Sequence, residues 1–177
     1  MNQPVVVLVD EADREIGVAD KMKAHQLGLL HRAFSVFLFQ RQHGYWYCLL
    51  QQRHDDKYHC GGLWSNACCS HPFPGEDILD AGKRRLQEEL GLDADLRHGG
   101  TFTYRAECPN QLIEFEVDHV LVGHVPSNQT LALNPQEVAA TRLMRLDALE
   151  QALTNQPQHY TPWFKSALQL ARHTLVA

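Results

Sequence analysis

The 177-residue chain predicts an α/β protein, a sandwich of helices around a mixed β-sheet. Three observations lead there. Short β-branched and aromatic runs recur along the chain, helical patterns fall after and between them, and Gly, Pro and Asn punctuate both. With 44% of residues hydrophobic, residues 1–177 have one domain's worth of sequence and enough apolar mass for a real core.

Residues 5–9 are a β-branched run that predicts a first strand, closed by the polar stretch Asp10-Glu-Ala-Asp-Arg-Glu. The N-terminus as a whole lacks the basic segment and long apolar stretch of a signal peptide, so it reads as a strand. Residues 33–40 and 45–52 are apolar strands joined by His43-Gly44 as a hairpin. Residues 54–67, with Gly61-Gly62 and mixed polarity, read as a long loop, and such loops in compact domains tend to carry function. Residues 76–90 form the strongest helical pattern. Gly75 precedes it, Gly91 ends it, and Leu79, Gly82, Leu86 and Leu90 make its apolar or small-residue stripe. Strands are expected at 101–108 and 112–125 around Pro109-Asn110, and at 138–146 after Asn134-Pro135. Residues 147–154 and 163–173 read as closing helices.

Bulk properties remove several classes of function. A net charge of −5 argues against a nucleic-acid binder that works by general electrostatics. Nowhere does an uncharged apolar run reach membrane-spanning length, so no membrane partner is expected. Cys48, Cys60, Cys68, Cys69 and Cys108 are an odd set without framework spacing, which points to a reducing cytoplasm. Eleven histidines are a rich supply of metal ligands.

The chemistry concentrates in Trp64-Ser-Asn-Ala-Cys-Cys-Ser-His71-Pro and the helix after it. Thiol, imidazole and carboxylate together make a proton-transfer centre, a metal site, or both. Either Cys68 or Cys69 would serve as a small buried hydrophobe; Cys69, two residues from His71, is the weakly favoured reactive thiol. Along residues 112–118, strict alternation puts Glu114, Glu116 and Asp118 on one face and Ile113, Phe115 and Val117 on the other. For an anonymous strand this is the solvated face of a sheet edge. Like charges stacked on one face, however, need a cation or a proton among them. His25 and His31 lie six residues apart, which misses the spacing of two ligands on one helical turn. Arg85 sits four residues before Glu89, where a helical salt bridge is its simplest role and a phosphate contact beside a Glu89-bound Mg²⁺ a second. Trp163 at a helix start reads as a core anchor or as a π face for a cation.

The helix nearly matches the Nudix box, Gly-x5-Glu-x7-Arg-Glu-U-x-Glu-Glu-x-Gly-U, where U is bulky and apolar. Glu76, Arg84, Leu86, Glu88, Glu89, Gly91 and Leu92 fall in place, but Ser70 replaces the first Gly and Arg85 replaces a metal-binding Glu that hydrolysis of a diphosphate requires. Such a chain is expected to hold a diphosphate without cutting it. Taken with Trp64-Ser-Asn-Ala-Cys-Cys-Ser-His-Pro, Tyr104-Arg-Ala and Glu114-Phe-Glu116, the sequence over residues 21–163 resembles the type 1 isopentenyl-diphosphate isomerases. Cys60-Gly61 departs from the aromatic-Pro pair expected before Gly62-Leu-Trp.

The resemblance implies a Nudix-type α/β/α sandwich around a mixed β-sheet. It implies Cys69 as the active-site thiol, Glu116 as the carboxylate facing it, and Tyr104 as the hydroxyl beside Glu116. His25, His31, His71, Glu114 and Glu116 would bind one divalent metal, Mn²⁺ or Zn²⁺, and Glu89 with the Cys69 backbone carbonyl would bind Mg²⁺. Lys21, Arg53, Lys57 and Arg85 would contact the diphosphate, and Trp163 would shield a cation. The implied reaction is reversible 1,3-allylic proton transfer between isopentenyl and dimethylallyl diphosphate, small-molecule partners both. A Nudix hydrolase of a nucleoside diphosphate derivative is the competing class, and a metal-stabilised binding module a third. The histidine site is expected to empty as pH falls toward the ordinary histidine pKa of about 6.5. Mg²⁺ on Glu89 is expected only with diphosphate bound.

Overall fold

The computed structural model describes residues 4–57 and 59–175. Its centre is a long strand, β3 (His31–Gln42), whose run Ala-Phe-Ser-Val-Phe-Leu-Phe is buried on both faces. On one edge β3 pairs in parallel with β8 (Leu112–His124), from His31↔Glu116 to Phe39↔His124. Along its other edge three strands take turns antiparallel to it: β1 (Val5–Val9) at His31, β6 (Cys68–Ser70) at Phe34 to Val36, and β4 (Tyr45–Arg53) at Phe39 to Gln42. β2 (Glu15–Asp20) pairs with β1, β7 (Arg97–Cys108) with β8, and both β5 (Trp64–Ser65) and β9 (Val138–Arg145) with β4. One parallel pair among antiparallel ones makes the sheet mixed, as expected.

Helices cover both faces. α2 (Ile78–Leu90) lies over Phe34, Val36, Leu38 and Leu121 through Ala81, Leu86 and Leu90. α3 (Leu146–Asn155) and α4 (Phe164–His173) lie over Phe37, Phe39, Val120 and Val122 on the other face. Close approach explains Gly82, since a Cβ there would meet Leu121 Cδ1 at 2.7 Å. α1 (Lys21–Leu27) packs against β8.

Several boundaries differ from the sequence reading. The main helix starts at Ile78, because the Asp77 side chain accepts from the Leu79 and Asp80 amides. Glu76 lies before the helix and pairs with Arg84 Nε at 2.8 Å. β7 begins at Arg97, four residues earlier than expected, and β5 interrupts the 54–67 loop. Strand β2 and helix α1 were not expected at all. The reading of the N-terminus as a strand holds for residues 5–9, while residues 1–3 lie outside the described residues. β8 is an interior strand between β3 and β7, so Glu114, Glu116 and Asp118 face a buried interior and not the solvated edge that an anonymous strand of this pattern would present.

Candidate active site

Strand parity assembles the site. In the β3–β8 register His31 stands opposite Glu116 and Ala33 opposite Asp118, while Ser35 of β3 stands opposite Cys69 of β6 and Tyr104 of β7 opposite Glu116. Side chains directly opposite share a face. This separates the two adjacent cysteines: Cys68, opposite Val36, enters the core beneath α2, and Cys69 turns to the other face. A cavity of about 250 Å³ opens there, lined among others by Lys21, Arg53, Cys69, Glu116 and Trp163.

His25 and His31 reach this face from different elements. His25 is on α1, one turn after Lys21, and the left-handed Gly28 that ends α1 leads the chain back into β3 at His31. His25 Nδ1 sits 2.7 Å from the Lys21 carbonyl and His31 Nδ1 2.8 Å from the Leu29 carbonyl. A carbonyl accepts only, so each Nδ1 carries the proton and each Nε2 holds the lone pair. The Nε2 atoms of His31 and His71 find no hydrogen-bond partner among the described residues. Ligand atoms of His25, His31, His71 and Glu116 all lie within 4.8 Å of one another. Glu114 joins them, with Oε2 3.5 Å from His25 Nε2. Lone pairs converging with carboxylates make a group of donors compatible with a divalent metal ion.

Burial, reinforced by the neighbouring carboxylate Glu114, drives Glu116 well above its ordinary pKa. Burial alone would raise Glu114 as well, but its polar neighbours Glu116, His25 and His59 hold it well below its ordinary value. Tyr104 donates to Glu116 Oε1 at 2.9 Å. Burial also pulls His31 down to about 4 and His71 well below the usual imidazole range.

Cys69 Sγ donates to Asn66 Oδ1 at 3.1 Å and receives the Trp163 indole N–H at 3.2 Å. Burial, with the Asp118 charge, pushes the thiol up to about 11, against the opposing influence of Arg53, Ser35 and Ser65. Trp163 is thus a core residue with its one polar atom aimed at the thiol. Its ring stands 5.5 Å from the Arg53 guanidinium carbon and 6.1 Å from the Tyr104 ring.

The other end of the cavity is cationic. Lys21, Arg53, Lys57 and Arg85 all line it. Arg85 Nη2 sits 2.8 Å from Glu89 Oε1, and Lys57 Nζ 3.9 Å from the same oxygen. Glu137, which the sequence reading did not single out, pairs with Lys57 and lies 3.5 Å from Arg85. Arg84, by contrast, braces the helix: it pairs with Glu76 and stacks 3.8 Å from the Phe73 ring. Ser35, Asn66 and His59 also escaped the sequence reading. Asn66 stands inside the Trp64-to-Pro72 motif without having been singled out, whereas Ser35, on an interior strand, and His59, in a loop, carry no motif of their own.

These features match known proteins. Residues 29–164 match the NUDIX domain family. DR0079 from Deinococcus radiodurans shares the fold, with a TM-score of 0.69 at 17% identity over 96% of this chain and 98% of that one. The chain therefore belongs to the Nudix superfamily. It is 46% identical over 160 residues to an isopentenyl-diphosphate Delta-isomerase of Pectobacterium atrosepticum, covering 90% of this chain and 87% of that protein. It is 45% identical over 166 residues to the Burkholderia multivorans protein of the same name, covering 94% and 92%. Within the superfamily, it belongs to the isopentenyl-diphosphate isomerases of type 1.

Proposed function

We propose that this protein interconverts isopentenyl and dimethylallyl diphosphate by 1,3-allylic proton transfer. The observation that carries the reading is a single cavity lined by a buried carboxyl, Glu116, a thiol, Cys69, and the cationic side chains Lys21, Arg53, Lys57 and Arg85. Glu116 and Cys69 enter it from strands on opposite edges of β3, Glu116 opposite His31 and Cys69 opposite Ser35. An unactivated alkene is a poor base, so an acid must place a proton on C4 and leave a tertiary cation at C3. A base must then remove a proton from C2. Glu116, held by Tyr104, gives the first proton, and Cys69 as thiolate accepts the second. The π electrons of the old double bond form the new C4–H bond, and the C2–H pair becomes the new double bond. The proton gained by Cys69 must return to Glu116 before the next turnover in that direction.

His25, His31, His71, Glu114 and Glu116 would hold one divalent ion, Mn²⁺ or Zn²⁺, and Glu89 with the Cys69 carbonyl a Mg²⁺ completed by diphosphate oxygens. When bound, these ions offset carboxylate and diphosphate charge and strengthen Glu116 as an acid. Lys21, Arg53, Lys57 and Arg85 anchor the diphosphate. Trp163 and Tyr104 present rings to the cation, each contact worth about 0.5–2 kcal/mol. The whole chain acts as one domain. No helix among the described residues is long and apolar enough to cross a membrane. The five cysteines are free, in keeping with work in the cytoplasm.

Hydrolysis is disfavoured because Arg85 replaces a carboxylate of the hydrolytic box and is itself paired with Glu89. Incubation with isopentenyl diphosphate and Mg²⁺ in D₂O tests both readings: deuterium in an allylic diphosphate supports the isomerase. Phosphate release from a nucleotide panel without deuterium incorporation would replace it with the hydrolase.

A further inference from the structure

No step of the proposed reaction uses Cys60 or Cys108, yet their sulfurs lie 3.5 Å apart in hydrogen-bond contact. Cys60 stands in the loop between β4 and β5, and Cys108 is the last residue of β7. Both are free thiols and buried, but each is followed by an exposed residue, Gly61 and Pro109. Cys60 also belongs to the pair that stands where an aromatic-Pro pair is expected, so its sulfur is a feature of this chain.

The backbone around the pair leaves little slack. Cys60 has a left-handed φ of 52°, and a Cβ on Gly61 would meet the Asp55 carbonyl oxygen at 2.5 Å. Two hydrogen bonds close the base of the loop, from the Arg53 amide to the Leu63 carbonyl and from the Gly62 amide to the Arg53 carbonyl, each at 3.0 Å. On the other side Cys108 is fixed in the β7–β8 ladder opposite Leu112. The pair packs against Trp163, with Cys69 and Tyr104 beside it. The residue before Cys60 offers its carbonyl to Arg53 Nη2 at 3.4 Å. A displacement of Cys60 therefore reaches the diphosphate pocket through Arg53 and the thiol end through Trp163.

Hydrogen bonding with Cys60 holds the Cys108 thiol below its ordinary pKa although burial pushes it up, and Cys60 is raised in turn. Burial instead raises Cys48, Cys68 and Cys69. Thiolate character governs attack on a peroxide, so Cys108 is the thiol of this chain most open to oxidation.

We propose that Cys60 and Cys108 are a redox-responsive dithiol, which a small hydroperoxide closes into a disulfide that ties the β4–β5 loop to the end of β7 and lowers turnover. One thiol attacks the hydroperoxide, the O–O bond breaks, and a sulfenic acid and an alcohol (water, from hydrogen peroxide) result. The second sulfur then attacks the first, the S–S bond forms, and the hydroxyl leaves as water with the second thiol's proton. Two electrons pass from the sulfurs to the peroxide. The sulfurs must close from 3.5 Å to about 2.05 Å, which draws Cys60 and the groups attached to it out of place. The effect on turnover rests on the isomerase reading; the disulfide does not.

The test treats the whole reduced chain with hydrogen peroxide, maps linked peptides by mass spectrometry without reductant, and follows kcat/KM with isopentenyl diphosphate. The wild type is expected to yield a Cys60–Cys108 peptide pair lighter by two hydrogen atoms. Its kcat/KM should fall about tenfold or more, since a misplacement of about 1 Å can cost up to about 100-fold, and dithiothreitol should restore it. Cys60→Ser and Cys108→Ser should match the reduced wild type and resist the peroxide, with Cys60→Ala and Cys108→Ala serving where serine does not fold. Absence of the linked pair would overturn the proposal. So would an equal loss in the Cys60 variants, which would place the damage on another residue such as Cys69. A linked pair with unchanged kcat/KM would remove the control of turnover. A reduced wild type without isomerase activity would instead remove the isomerase reading, and the peptide map alone would then decide the dithiol.

Discussion

One face of the β3–β8 pair has two ends that are equally buried and chemically opposite. At one end the register brings together His31 and Glu116, then Ala33 and Asp118; at the other it brings together Phe37 and Val122. Exposure is 0% for His31, 5% for Glu116 and 2% for Asp118, against 0% for Phe37 and 1% for Val122. Burying a Phe or Val contributes about 1.5–3 kcal/mol. Burying a charged group costs several kcal/mol and is recovered only through partners. Here the partners are specific: Tyr104 on Glu116, Ser35 on Asp118 at 2.7 Å, and imidazoles around both glutamates. The comparison teaches that strand parity decides what is buried, and residue type decides whether burial builds stability or reactivity.

The sharpest way to break that comparison is to mutate each end and read both properties. Cys69→Ala or Glu116→Gln is expected to lower turnover on the order of 10³-fold, within the range for a lost acid or base, without lowering the urea midpoint. Full activity in Cys69→Ala would remove the thiol from the mechanism. Phe37→Ala should do the reverse. It empties a site packed against Phe39 and Phe164 and is expected to lose about 3–5 kcal/mol of stability. Its remaining folded fraction should turn over near the wild-type rate. A Glu116→Gln protein as unstable as Phe37→Ala would show that the polar end is structural as well.

Asp118 tests the polar end without touching the proposed acid. Burial, helped by Glu114 and opposed by the Ser35 hydroxyl, raises it to about 7 from 3.8. A carboxyl with a raised folded-state pKa contributes stability fully below its unfolded value, and that contribution is lost as pH rises through about 7. Asp118→Asn does not titrate. Relative to wild type, metal-free Asp118→Asn should therefore gain stability between pH 5 and pH 8, on the order of 3 kcal/mol. Urea titrations at the two pH values measure it, and an equal difference at both would show that Asp118 is not charged at a cost in the folded protein.

Much of this was legible in the sequence, and the remainder failed for identifiable reasons. The β3–β4 hairpin was readable because His43-Gly44 supplies the two positive φ values of a tight turn, and the main helix because its stripe and Gly91 are local signals. The alternation of Glu114, Glu116 and Asp118 was visible, but not its direction. Periodicity gives faces and says nothing of which face is inside; only the partners β3 and β7 decide that. His59 and Glu137 lie in irregular segments, where no period marks a residue, and reach the site through tertiary pairing alone. Cys69 was favoured over Cys68 for its nearness to His71, whereas what puts Cys69 in the cavity and Cys68 in the core is the register, Cys69 opposite Ser35 and Cys68 opposite Val36.

Trp163 carries the smallest prediction, and it separates two roles for one side chain at the boundary between the two ends. The indole packs among Cys60, Cys108 and Leu112, yet its Nε1–H points at Cys69 Sγ from 3.2 Å. As a π face alone, the ring is largely replaceable by phenylalanine. As a donor it is not, because an N–H stabilises the thiolate over the thiol, and a hydrogen bond to a charged group is worth about 1.5–3 kcal/mol. Trp163→Phe should therefore lower kcat about tenfold. It should also move the thiolate-dependent limb of the pH–rate profile to higher pH, since the thiol loses a group that favours its ionised form. An unchanged limb with a reduced kcat would leave only the ring. An unchanged kcat with the limb displaced upward would show that Cys69 ionisation is not what limits turnover at neutral pH.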